Sequence, residues 1–394
     1  MARKLFNFKK RATNLSLSNP QKWFDLFGGN ETSSGAKVDE VNSLKFTGVL
    51  SAVSLRSELV ASSPKEILVN SDGGRSKDFD DPLYKLLAYK PNPYMNSFTF
   101  WELNNTYLDL YGNAYNFISK SKGMPVALSP INPDKMEVLV EGGKLIYRIS
   151  DTGDRVLDGD HTPNKILHFK DLSLDGIKGK SRILLAKEAI GLGLAAEKFG
   201  GEFFGNGTQA RGVLQHPGTM GDEAYNNFKK SWSNKSNMST PILEEGMVYN
   251  QISIPPEAAQ FIASREFQLQ DIARVFRVPP HLLADLSRAT FSNIEQSDIQ
   301  FVKYTLRPLV KRYEQELEVK LLGDDLGKKN IRFNLDGILR GDTATRAEYL
   351  SKMIQAKIMN RNEARAIENL NPVPGGEEFE NPATSSGKTK QDGN

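Results

Sequence analysis

The chain has 394 residues, 39% hydrophobic and 25% charged, the proportions of a globular protein long enough for two or three domain-sized units. Lysine and arginine number 51 against 48 acids, and a net charge of +3 is too small for a protein that coats nucleic acid, so any DNA contact is local or brief. Cysteine is absent, which excludes disulfides, thiolate zinc sites and thiol nucleophiles and fits a reducing compartment.

The segment Met1–Lys10 is charged with no long apolar run behind it, and no uncharged apolar stretch approaches the roughly 18 residues of a membrane span, so neither export nor a membrane partner is expected. Arg3, Lys4, Lys9, Lys10, Arg11 and Lys22 stand in the first 22 residues without an acid, and Gly28 to Lys37 is rich in Gly, Ser, Thr and Asn. Residues 1–39 read as a basic, flexible N-terminal arm. From Thr47 the spacing Leu50, Val53, Ser57, Val60 predicts an amphipathic helix capped by Thr47 and stopped before Pro64, with a short strand at Glu66–Asn70. A second helix is expected from Ser97, its candidate cap, to Gly112. Between Ala114 and Asp171 the period changes to two, and Lys135–Val140 and Lys144–Ile149 flank Glu141-Gly142-Gly143 as a hairpin. Another strand is expected at Lys165–Phe169, which makes residues 40–178 one α+β unit.

Ser181–Phe204 reads as a helix interrupted by Gly191, Gly193, Gly200 and Gly201. Each glycine costs a helix about 1 kcal/mol relative to alanine, a cost that close approach to another helix would offset. A small insert follows, with strands at Arg211–Gln215, Pro241–Leu243 and Met247–Ile254 and a helix from Asp222 to Trp232. Pro255-Pro256 opens another helix, Glu257–Arg277, that Val278-Pro279-Pro280 stops. The loop His281–Phe291 leads to Ser292-Asn-Ile-Glu295, which has the form of a capping box, and to a long helix with Ile299, Val302, Leu306, Leu309, Tyr313, Leu317 and Leu321 on one face and a bend at Pro308. A strand at Ile331–Leu335, a helix Thr343–Ala356 capped by Asp342 and a helix Arg361–Leu370 capped by Asn360 with Glu363 complete the order, and residues 379–394 read as a disordered tail.

Candidate chemistry is sparse. Gly176-Ile-Lys-Gly179-Lys180-Ser181 follows a strand and precedes a helix, as a phosphate-binding loop does, but Leu174 occupies the place of the first glycine, and a tight turn is the better reading. The four histidines, His161, His168, His216 and His281, have no metal-ligand spacing, and the acids of Asp78–Asp81 and Asp324-Asp325 lie in turn sequence, so no metal is expected. His168 reads as a satisfied strand residue. Without a nucleophile elbow or a placed base, no catalytic residue and no cofactor is assigned.

Nine short segments in order carry a resemblance. They are Lys90-Pro-Asn-Pro93 with Ser97–Trp101, Tyr111-Gly-Asn-Ala-Tyr115, Leu128–Pro133, Ile166–Phe169, Gly179-Lys-Ser181, Phe204–Gly207, Ile272–Pro280, Phe291–Gln296 and Thr305–Pro308. Together they resemble the compact portal family of long-tailed, siphovirus-type bacteriophages from about Thr47 to Glu378. The resemblance implies an α+β portal fold with a wing over 40–178, a stem helix over 179–206, a clip over 207–255 and a second stem helix over 256–277. It further implies a tunnel loop over 278–292, a long wing helix over 293–322 and a helical crown over 323–378. It implies a homo-oligomeric ring of about twelve subunits at one capsid vertex of the virion, assembled in the host cytoplasm, through which double-stranded DNA passes. Its implied partners are the terminase large subunit, the major capsid protein or scaffold, and the head–tail connector or adaptor. A domesticated phage-like gene transfer particle and a ring-forming adaptor are the alternatives.

In the tunnel loop, bounded by Pro279, Pro280, Ser292 and Glu295, the candidates for transient phosphate contact are Arg288, then His281 and Ser287, while Arg288 paired with Asp285 or a neighbouring subunit is the competing reading. Gly191, Gly193 and Gly200 are the candidates for subunit packing.

Overall fold

The computed structural model describes residues 31–71, 74–205, 212–215, 218, 221–223, 225, 226, 247–251, 258–285, 291–338, 343–368 and 370–379. Residues 1–30 of the basic arm, the Pro241–Leu243 strand, the cap Asp342 and all but the first residue of the 379–394 tail lie outside these, as does most of the Asp222–Trp232 helix.

Helix α1 (Thr47–Ser62) buries Val49, Val53 and Val60 and packs along α3 (Ser97–Tyr111), with the short α2 (Pro82–Ala88) between them in sequence. Thr47 is not the cap of α1: Phe46 holds that place without a side-chain bond, and Thr47 Oγ1 donates instead to Glu197 Oε1 at 3.3 Å. Asn96 rather than Ser97 caps α3, accepting from Thr99 N, because Ser97 Oγ is drawn to Leu87 O at 2.7 Å. Gly112 ends α3 in the left-handed conformation, where a Cβ would overlap Lys180 O.

Strand β1 (Lys65–Ser71) lies between β2 (Gly74–Lys77) and β11 (Lys329–Phe333), both antiparallel to it. A second sheet has β3 (Asn113–Ser121) between β4 (Met124–Ile131) and β8 (Ile166–Lys170), and a third runs β5 (Met136–Glu141), β6 (Lys144–Ile149), β7 (Gly159–His161). The Gly142-Gly143 turn has both residues at positive φ, as a two-residue hairpin requires. Strand β11 falls inside the span 323–378 assigned to a crown, yet it closes the sheet of β1 and buries Ile331 and Phe333 in the main core.

That core is centred on Trp101, fully buried, with Phe333 at 4.8 Å and Tyr313 at 5.7 Å between ring centroids. The second sheet and the third share a smaller core of Tyr115, Phe117, Ile131, Val138, Tyr147 and Ile149. His168 lies at its edge as a satisfied strand residue: Nε2 is 2.9 Å from Asn113 Oδ1 and Nδ1 is 3.1 Å from Tyr147 OH. Burial, with Lys170, Lys178 and Lys320 nearby, lowers its pKa well below the ordinary value.

The glycine-studded helix is two helices, α4 (Arg182–Leu185), capped by Ser181, and α5 (Lys187–Gly205). Helix α5 packs against α6 (Ala258–Phe276), and between these two β9 (Gly212–Gln215) pairs with β10 (Val248–Gln251). Helix α7 (Phe291–Phe301) continues through a π turn, Val302–Leu306, into α8 (Arg307–Leu321). Pro308 removes the donor that Tyr304 O would accept in an α-helix, and the π turn lies over that gap, so the expected bend is a local change of helix type. Helices α9 (Thr343–Gln355) and α10 (Arg361–Ile367) close the order, and α10 carries the predicted capping box, with Asn360 and Glu363 exchanging bonds.

Residues 31–38, inside the span read as a flexible arm, are folded. Thr32 and Val38 are buried, and Ser33 N donates to Glu188 Oε2 of α5 at 3.1 Å.

Candidate functional site

The loop after α6 leaves the helix by a fully formed C-terminal cap. Val278 N donates to Ala273 O at 2.9 Å and Arg277 N to Arg274 O at 3.3 Å, the paired bonds of a Schellman motif, and Arg277 takes the left-handed position at φ 55° that glycine usually fills. Pro279 and Pro280 then prevent the helix from resuming. A short 3-10 turn, Pro280–Leu283, buries Leu283, and Ala284 turns the chain at φ 64°. His281 Nε2 is 2.9 Å from Asp298 Oδ1, which ties the start of the loop to α7.

The last carbonyls of α6 are held by three donors from distant parts of the chain. Arg182 Nη1 donates to Val275 O at 2.9 Å, Arg56 Nη1 to Phe276 O at 2.8 Å and Thr305 Oγ1, from the π turn, to Arg277 O at 2.9 Å. Arg56 also grips Asp109 with two bonds, Nε–Oδ2 at 2.8 Å and Nη2–Oδ1 at 2.9 Å. Arg182 and Arg312 both bond Asp171. Burial works against each charge, yet Asp109 raises the pKa of Arg56 and the two arginines hold Asp171 below its usual range. Cations at a helix C-terminus are favoured by its dipole, so this buried network fixes where α6 ends and the loop begins.

Pro279 and Pro280 follow the end of α6. His281 is half-buried and turned to Asp298, so its Nε2 is already engaged within the chain. Ser287 and Arg288 lie outside the described residues, as do the side chains of Ser292 and Glu295; α7 begins at Phe291, which puts Ser292 inside the first turn and not before it. Gly191 and Gly193 do make close approaches, but to their own chain: a Cβ would stand 2.5 Å from Thr32 Oγ1 and 2.7 Å from the Phe46 ring. A large residue at 193 therefore disturbs folding of the single chain. Gly200 is buried in α5.

Sequence reasoning missed Arg56, Asp109, Asp171, Arg182 and Arg312. The signal for the first two was present, since Arg56 falls on the helical face of Val49, Val53 and Val60 and Asp109 stands between Leu108 and Leu110. The glycine turn cannot cradle a phosphate, because its amides are spent internally: Gly176 N on Ser173 Oγ, Ile177 N and Lys178 N on Asp175, Gly179 N on Asn113 and Lys180 N on Leu172 O.

Residues 47–369 match the family described as phage portal protein. The chain belongs to the phage portal family. It is 33% identical over 353 residues to the portal protein of Enterobacteria phage HK97, covering 87% of this chain and 82% of that one. It is likewise 33% identical over 367 residues to the probable portal protein of Streptomyces phage phiC31, covering 88% and 79%. A chain in the neck of a native gene transfer agent particle, computed with twelvefold symmetry, shares the fold at a TM-score of 0.57 and 21% identity, covering 85% of this chain and 94% of that one.

Proposed function

We propose that the chain is one subunit of a portal ring of about twelve copies at a single capsid vertex, the channel through which double-stranded DNA is packaged and ejected. The observation that carries this reading is the family match over residues 47–369. The described residues on either side of 286–290 support it: α6 ends in a capped, triply held turn, and His281 ties the chain that follows to Asp298 of α7. A chain of net charge +3 suits a conduit, since each phosphate neutralised adds a salt-dependent binding term that multiplies around a ring and would stall movement. Arg288 and Ser287 remain the proposed loop contacts. In this reading ATP hydrolysis belongs to the docked terminase large subunit, and the capsid protein or scaffold and the head–tail connector are further partners.

The experiment is deletion of Asp285–Ala289 in a packaging system. Rings and procapsids should form while genome filling or retention fails. Normal filling with failed ring assembly would move the loop to a subunit interface and remove its role. A second reading, the portal of a gene transfer particle, is favoured by the match to such a neck structure. Sequencing the packaged DNA separates the two, since a phage carries its own genome and a gene transfer particle carries that of its host.

A further inference from the structure

A cavity of about 30 Å³ lies among Arg56, Asp171, Arg182, Arg277, Tyr304 and Arg312, beside the turn that ends α6. Four guanidinium groups and one carboxylate line it. Like charges repel, so such a gathering persists only where each cation is held, and three of the four are. Arg56 is held by Asp109 and Phe276 O, Arg182 by Asp171 and Val275 O, and Arg312 by Asp171 and Lys170 O.

Arg277 is not held. Its side chain makes no hydrogen bond or ion pair among the described residues, and Arg312 engages only Nη1, which leaves its Nε and Nη2 without one there. Both oxygens of Asp171 already accept from Arg182, so this carboxylate has no oxygen to turn elsewhere. Set against Asp109 and Asp171, the four arginines leave two positive charges uncompensated around one small space. These are not ordinary surface charges answered by bulk salt: the side chains of Arg56, Arg182 and Arg312 are 2%, 21% and 40% exposed.

The volume selects the ligand. A water molecule needs about 10–15 Å³ of such space, so the cavity has no room for a sugar or a base but takes a charged oxygen. The planar, forked donors of arginine match the oxygens of a phosphate group. The negative end of α6 opposes an anion, yet its last carbonyls are already capped by Arg56, Arg182 and Thr305.

We infer that this cavity binds a phosphate group, with Arg277 and Arg312 gripping its anionic oxygens and Arg56 and Arg182 fixed behind them by their aspartates. The phosphate is either the free ion or one of a DNA backbone. All the lining residues belong to one chain, so the site stands whether or not the ring reading does.

The test titrates the full chain with inorganic phosphate at constant ionic strength, by calorimetry and by melting temperature, which a ligand of the folded state raises. One saturable site per chain is expected. R277N removes the unheld guanidinium, and asparagine accepts the left-handed backbone found there at φ 55°. R312K keeps a cation beside Asp171 but loses the fork. Each should weaken phosphate binding at least about tenfold, the loss of one charge-assisted bond, and melting without phosphate shows that each is folded. K303Q removes an equal charge from exposed Lys303, whose Nζ is 5.1 Å from the Tyr304 ring but which does not line the cavity, and should bind as the unaltered chain does. Absence of saturable binding overturns the inference, as does equal weakening in K303Q and R277N, which would mean diffuse attraction. A short DNA duplex without terminal phosphates separates the two sources of the group. Displacement of phosphate by the duplex, lost in R277N, assigns the site to a backbone phosphate, and phosphate left in place assigns it to the free ion.

Discussion

Arg56 and Arg148 grip a carboxylate in the same way and to different effect. Arg56 meets Asp109 through two bonds of 2.8 and 2.9 Å, Arg148 meets Asp160 through two of 2.7 and 3.0 Å. The first pair has side chains 2% and 1% exposed, the second 40% and 49%. Water competes freely for Arg148 and screens its attraction, whereas Arg56 has lost its hydration and turns Nη1 to Phe276 O at the end of α6. Bond geometry alone therefore does not rank the two. Burial does, and it is the buried pair that couples the α1–α3 core to the helix end below the loop.

The largest effect should follow from breaking the buried pair on one side. Asp109→Ala leaves a guanidinium uncompensated in the core and is expected to cost about 3–5 kcal/mol of unfolding free energy, with faster hydrogen exchange at Val278 N as the helix end loosens. Replacing both partners, Arg56→Met with Asp109→Leu, should cost less than Asp109→Ala alone, because no charge is then stranded. Denaturant titration of the three chains checks this, and a loss below about 1 kcal/mol for Asp109→Ala would mean that water reaches Arg56.

Lys65 sharpens the comparison, being a buried cation with no carboxylate. Its Nζ donates to Ala61 O at 2.6 Å and Val60 O at 3.3 Å at the end of α1 and lies 5.3 Å from the Phe333 ring centroid. Burial lowers its pKa from 10.5 to about 7. The unfolded chain then holds this proton more tightly than the folded one between those values, so stability should rise with pH from about 7 to about 10.5, at most by roughly 1.4 kcal/mol per unit, with the full penalty present below about 7. Lys65→Met should flatten that slope. Equal slopes at pH 6.5 and 9 in the two chains would show that Lys65 keeps its charge in the fold.

Elements with strong local periodicity were legible in the sequence: α1, α3, the β5–β6 hairpin, the α6 helix with its proline stop, and the Asn360 capping box all follow from patterns a few residues wide. What was not legible is set by contacts across the chain. Strand β11 looked like the start of a separate unit because its pairing partner, β1, lies more than two hundred residues earlier. Gly191 and Gly193 of α5 do mark a close approach, but to Thr32 and Phe46 of the same chain and not to another helix, while Gly201 faces open space. Asp171 and Arg312 gave no local sign, since neither interrupts an apolar face and each acquires its role only when α8 is laid on β8. The cap of α1 failed for a related reason, a hydroxyl diverted by a carboxylate on another helix.

The smallest effect should come from Arg148→Ala. Arg148 holds Asp160 below its usual range through a hydrogen bond and lies 3.5 Å from Glu141 and 3.9 Å from Glu137, so the site has more charge contacts than the Arg56 pair. All of them stand in water on the outer faces of β5, β6 and β7, where the cross-strand contacts of Val138, Tyr147 and Ile149 beneath set the register. Removing the arginine leaves three acids facing one another, an effect that salt screens within about 8 Å at physiological strength. The melting temperature should be unchanged there and should fall slightly only at low salt. A large fall at physiological salt would mean that exposed bidentate geometry suffices to stabilise this sheet, and burial would lose its place as the property that separates the two arginines.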